Sequence, residues 1–174
     1  MVLIPSALLA LLSSTALALP QPTTDSKPAL CLSDSEANSI SKSWLAIWDT
    51  GYLTKKSQLK NLVTKDVLSF DGTYGPPTVG LDALYAAATY VDPLVTNVLQ
   101  YPETAIHNCD TISVRWGYSA VSTSNAPNVP AGTPIFLEGI EILQVELSSR
   151  LIFNATSSAD WVLLATQLGE TVNL

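Results

Sequence analysis

The chain has 174 residues, with eight Lys and Arg against fifteen Asp and Glu and a formal charge of −7, and its pI is near 4.4. That balance argues against a phosphate-binding surface, so nucleic acid is not expected as a partner. With one His in the sequence, no two-His metal site or His dyad can form, and neither a metal nor a cofactor is expected.

Residues 1–18 carry no charge, hold an apolar run at 7–12 and end in Ala16-Leu17-Ala18, which suits signal peptidase. They are taken as a signal peptide and the protein as secreted to the extracellular space. The other reading is an uncleaved anchor, but Ser13, Ser14 and Thr15 interrupt a stretch already short for a bilayer span. No membrane association is therefore expected after cleavage. Residues 19–30, rich in Pro, Thr and Ser, form a flexible leader. Residues 31–174, near the modal domain length, make one domain. Its two cysteines allow one pairing, Cys31 with Cys109. The alternative is two separate buried thiols, and export favours the bridge, provided the Cα atoms lie within about 7 Å.

Ser33-Asp34-Ser35-Glu36 has the spacing of a capping box. Ile40, Trp44, Ile47 and Trp48 follow at helical intervals, which predicts a helix over 34–50 stopped by Gly51. Its two Trp serve either as core or as a ligand platform. A short helical piece at 57–63, a short strand at 67–70 and a loop at 73–80 containing Gly75-Pro76-Pro77 come next. A helix over 81–90 then ends at Asp92-Pro93.

Residues 103–121 have the longest two-residue period and are expected to form one continuous central strand. Ile106, Ile112, Val114, Trp116 and Tyr118 fall on one face, and His107, Cys109, Thr111, Ser113 and Arg115 on the other. Asp110 shares the apolar parity, where an unpaired carboxylate would be costly. It is either a general base or a strand-end residue that pairs with Arg or caps an amide. His107 is expected on the outer or dimer-facing side, and Arg115 in a salt bridge to Glu138 or Glu141. The loop 122–133, with Pro127, Pro130 and Gly132, is a lid or binding rim, or else a variable surface connection. A second strand spans 134–147 with Gly139 as a bulge or bend, and a third spans 150–157. Residues 159–169 form a fourth strand or a closing helix, and the spacing of Trp161, Leu164 and Leu168 favours the helix. Asn154-Ala155-Thr156 is a glycosylation sequon. A glycan would require Asn154 to face solvent, whereas a pocket role would require the reverse.

The fold class is thus α+β, with a curved, mostly antiparallel sheet and N-terminal helices packed on its concave face around a cone-shaped cavity. This order of elements is similar to the nuclear transport factor 2-like (NTF2-like, SnoaL-like) superfamily, which includes polyketide cyclases, scytalone dehydratase and ketosteroid isomerase. Cys31-Leu32, the helix of Trp44, His107-Asn108-Cys109-Asp110, Arg115-Trp116, Gly139-Ile140, Phe153-Asn154 and Trp161 resemble, over roughly residues 31–169, a group of secreted fungal NTF2-like proteins with no agreed reaction. The superfamily holds both enzymes and binding domains, so the fold does not choose a function.

A cone of this kind suits acid–base chemistry if it holds a carboxylate and a hydrogen-bonding partner. The catalytic candidates are Asp110, Asp49 and Tyr52, and the ligand-contact candidates are Trp44, Trp48, Trp116, Tyr118 and Asn154. There is no Gly-x-Ser-x-Gly elbow, phosphate loop or dinucleotide fingerprint. The leading expectation is a secreted protein that binds a small apolar molecule in the cone. The alternatives are a cofactor-independent lyase, isomerase or cyclase using a buried carboxylate as base, and a non-catalytic homodimer formed through the sheet.

Overall fold

The computed structural model describes residues 30–73 and 75–172; the expected signal peptide and nearly all of the leader lie outside them. Helix α1 (Asp34–Ala46) starts at the expected capping box. Glu36 donates its amide to Ser33 Oγ at 3.3 Å, and the Ser33 amide donates back to Glu36 Oε2 at 2.9 Å. The helix ends four residues before the sequence expectation because the chain beyond it bonds to a strand instead. Thr50 exchanges bonds with Val98 through its amide and its hydroxyl, and Asp49 Oδ1 accepts the Gln100 amide at 2.6 Å.

A 3-10 helix (Lys56–Asn61) stands where the short helical piece was expected. It leads into β1 (Val63–Asp71), the short β2 (Thr78–Val79) and α2 (Gly80–Ala88). Four long strands follow, β3 (Val95–His107), β4 (Thr111–Ser122), β5 (Pro134–Glu146) and β6 (Leu151–Ala159), and α3 (Trp161–Gln167) comes after them. They form one six-stranded sheet in the order β2-β1-β6-β5-β4-β3, antiparallel except where β1 runs parallel to β6. The mostly antiparallel α+β architecture agrees with the sequence expectation. Among the described residues no helix is long and apolar enough to cross a membrane.

The central strand is the main correction. Residues 103–121 are not one strand but parts of two, joined by a turn in which Asn108 Oδ1 accepts the amides of Asp110 and Thr111 at 3.1 and 2.9 Å. This side chain supplies the acceptor that a strand partner would otherwise have given, so the chain reverses there. Cys109 sits in the turn and is bridged to Cys31 with the Cα atoms 4.2 Å apart. Beside the bridge, Leu32 donates its amide to the Cys109 carbonyl at 2.9 Å. The start of α1 is thereby pinned to the hairpin tip.

Within β4 the expected alternation holds, with Ile112, Val114, Trp116 and Tyr118 buried on the inner face. On β5 the inner face carries Ile135, Leu137, Leu143 and Val145. Trp44 and Leu45 of α1 close the core over them. Ile106 belongs instead to β3 and is 68% exposed on the outer face. The loop 123–133 does not form a lid on the cavity described below. It packs toward the C-terminal end of α3, where a Cβ on Gly169 would meet the Pro127 carbonyl oxygen at 1.9 Å.

Candidate functional site

The inner face of the sheet and the helical layer enclose a cavity of about 590 Å³. Sheet register sets its floor. Val114, Glu141, Ser157 and Asp71 are direct neighbours across β4, β5, β6 and β1, so one row of the sheet places two carboxyl groups on either side of a serine. The next row places Trp116 against Gly139. A Cβ at Gly139 would lie 2.3 Å from Trp116 Cζ2. The absent side chain is what lets the indole lie across β5, and the β4–β5 register runs through Gly139 unbroken. Gly139 is therefore a seat for Trp116 and not the expected bulge.

Glu141 is only 4% exposed, and its Oε2 has no hydrogen-bond partner. Burial pushes its carboxyl up to about 7; the Trp44 and Ser157 side chains act against this, and the charge of Asp71 adds to it. Removing a carboxylate from water disfavours the charged form, which is why burial dominates. Asp71 is held differently: Oδ2 accepts Trp161 Nε1 and Oδ1 accepts the Thr73 amide, both at 2.9 Å.

Aromatic rings supply much of the wall. Trp48 and Trp116 line the cavity, with Trp161 and the 73% exposed Tyr90 toward its mouth. Trp44 packs edge-on against Trp48 with centroids 5.9 Å apart. The indole Nε1 atoms of Trp48 and Trp116 and the Oε1 of Gln100 are buried without partners. Such groups are costly to leave unpaired, and their gathering around one space marks a place built for something polar.

Two of the aromatic candidates, Trp48 and Trp116, thus line the cavity. Trp44 lies one layer behind, and Tyr118 is buried on the inner face without lining the space. The other candidates lie elsewhere. Asp110 is exposed in the β3–β4 turn and accepts the Thr111 hydroxyl at 3.0 Å. Its expected inward parity fails because it lies in no strand. Asp49 has Oδ1 taken by the Gln100 amide, and although burial raises its pKa, its role is to fasten α1 to β3. Tyr52 is 49% exposed and does not line the cavity. Asn154 pairs in register with Gln144 on the outer face and donates to Gln144 Oε1 at 2.8 Å, so it is not a pocket residue.

His107 ends β3 and pairs in register with Ile112 of the inner face, so it does not lie on the expected outer side. Nδ1 bonds the Asn108 carbonyl and Nε2 the Asp34 carboxylate at 2.8 Å each, and the Asp34 bond is the first cause of its raised pKa. Arg115 pairs with Glu138, as expected, and also with Glu103, which leaves Glu141 free of that network. Glu141 is the residue that sequence reasoning passed over. Its signal was available, because it shares the parity of Ile135, Leu137, Leu143 and Val145.

No family model and no curated protein matches the sequence. Solved structures do match. A hypothetical protein with a ketosteroid isomerase-like fold from Catenulispora acidiphila, solved in complex with trimethylamine, aligns with TM-score 0.62 and 19% identity over 76% of this chain and 93% of its own. A putative polyketide cyclase from Acidithiobacillus ferrooxidans aligns with TM-score 0.65 and 13% identity over 79% of this chain and 98% of its own. Another from Bacillus cereus gives TM-score 0.60 and 25% identity over 81% and 87%.

Proposed function

From the NTF2-like cone fold that this chain has, we propose that the protein takes a small, largely apolar organic molecule into the Trp-lined cavity and moves a proton on it, with Glu141 as the general acid–base group. The observation that carries this is the Glu141 carboxyl, buried, unpartnered at Oε2 and held near neutrality at the cavity floor. A base whose pKa lies near the working pH combines the right protonation state with a useful driving force. The buried indole N–H groups of Trp48 and Trp116 are donors with no protein acceptor. They suit a carbonyl oxygen that gains charge as the neighbouring carbon loses its proton. The reaction class is a cofactor-independent isomerisation, cyclisation or lyase step, in line with the polyketide cyclase descriptions of two of the structural neighbours. The candidate base moves from Asp110 and Asp49 to Glu141.

The test needs no knowledge of the natural substrate. Solvent deuterium exchange into the α-carbons of a panel of enolisable cyclic ketones, followed by proton NMR, is expected to exceed the buffer rate with the wild-type protein. It is expected to rise with pH through about 7 as Glu141 ionises. Glu141→Gln is expected to slow it about a hundredfold. Exchange by Glu141→Gln at the wild-type rate refutes Glu141 as the base.

The protein is read as acting outside the cell. The Cys31–Cys109 bridge supports an oxidising compartment, and residues 1–18 give the route.

The outer face of the sheet supports a second copy of the chain as its cover. Leu68, Phe70, Leu99, Phe136, Ile140 and Ile142 are all exposed there, on three different strands. A patch of this kind marks an association surface, and a two-fold pairing of like patches is the commonest way to bury it. Sedimentation equilibrium is expected to show a dimer that Phe136→Arg converts to monomer. A wild-type chain that stays monomeric at all loadings removes this reading.

A further inference from the structure

The cavity wall carries three carboxyl groups, those of Asp71, Asp92 and Glu141, and none of its lining residues is Lys, Arg or His. None of the three is ion-paired among the described residues. Among the described residues, every Lys or Arg ion pair lies elsewhere, at Lys56–Asp82, at Arg115 with Glu103 and Glu138, and at Arg150–Glu36. Among the described residues, no cation of the protein lines the cavity beside these carboxyl groups.

The same wall presents the rings of Trp48, Trp116, Trp161 and Tyr90. An aromatic face attracts a positive charge through its quadrupole, Trp most strongly, and desolvation strengthens the attraction. Two buried acceptors, Glu141 Oε2 and Gln100 Oε1, have no donor. Glu141, at 4% exposure, is the one that a ligand must satisfy if its ionised form is to persist.

Taken with the cavity's reading as a ligand site, on which this rests, we propose that its ligand is an organic ammonium, a protonated or quaternary amine carried on a hydrocarbon frame. The charge sits against Glu141 and the indole faces, and the frame fills the apolar remainder of the cavity. An anionic or phosphate-bearing ligand is excluded by the same carboxyl groups. Any N–H on the amine donates to Glu141 Oε2 or Gln100 Oε1.

The test compares benzyltrimethylammonium with neopentylbenzene, its neutral counterpart in which carbon replaces nitrogen. Each is titrated into the full protein and followed by tryptophan fluorescence, which the Trp side chains on the wall report. The ammonium is expected to bind about tenfold or more tightly than the hydrocarbon. Glu141→Gln is expected to remove most of that preference, and a preference kept in full by the variant overturns the placement of the charge against Glu141. Equal affinity for the two compounds overturns the ammonium assignment and leaves the cavity as an apolar ligand site. Binding of neither overturns the assignment and also counts against the cavity as a ligand site.

Discussion

Glu141→Gln is expected to stabilise the protein at pH 7.5 by about 3 kcal/mol, or roughly 6 to 12 °C in Tm, and to leave it unchanged near pH 4. The folded carboxyl keeps its proton up to about 7, whereas an ordinary glutamate releases it near 4.5. Between these values the folded state binds more protons than the unfolded chain, so unfolding free energy falls as pH rises. Above about 7 the whole loss has accumulated. Gln fills the same space without a charge to desolvate, and the fall disappears. His107 and Asp49 also have raised pKa values and tilt the wild-type curve the same way. The difference between wild type and variant across pH 4 to 8 isolates Glu141. Superimposable curves would mean that the Glu141 carboxyl meets no more desolvation when folded than when unfolded. A residue that lowers stability at the floor of a cavity is one that a purely structural role would not retain.

Replacing both cysteines by serine is expected to cost about 4 kcal/mol, because the bridge closes a separation of 78 residues in the unfolded chain. Urea unfolding checks this. The midpoint should fall, and the slope should steepen as the unfolded chain becomes less restricted. The native fold should survive at low urea, since Leu32 still bonds the Cys109 carbonyl and His107 still meets Asp34. An unchanged midpoint would show that these two contacts alone fix the start of α1 to the hairpin tip.

How far the sequence foretold this structure depends on how local the cause was. The capping box of α1 and the alternation along β4 and β5 are written in consecutive residues, and both were legible. The NTF2-like cone followed from their order. The turn at Asn108 was not legible as a turn, because His107 to Asp110 continues the alternation on paper. Only the Asn108 side chain, folding back on two amides, breaks it. That break moved Asp110 out of the sheet, and with it the expected base.

The first half of β3 was missed for a related reason. Asn97 has a positive φ of 55°, and the β3–β4 register shifts on both sides of Gln100–Pro102, so no simple period survives. The candidate site was half visible. Trp48 and Trp116 were named from their spacing, whereas Glu141 was read only as an alternative to Glu138 for pairing with Arg115, although its parity pointed inward. Asp71 could not be found from the sequence at all. It reaches the floor through the parallel pairing of β1 with β6, a contact between segments more than eighty residues apart.

Asn154 lies in the middle of β6 on the outer sheet face, between Gln144 of β5 and Leu68 of β1. Its amide nitrogen carries two hydrogens and spends one on Gln144 Oε1, so a sugar attached there can keep that bond while projecting from the face. A glycoform of the chain then carries its carbohydrate where a second copy would dock. Glycosylation would exclude the proposed dimer at this residue, and material from a host that modifies sequons is expected to be monomeric where bacterial material is expected to pair.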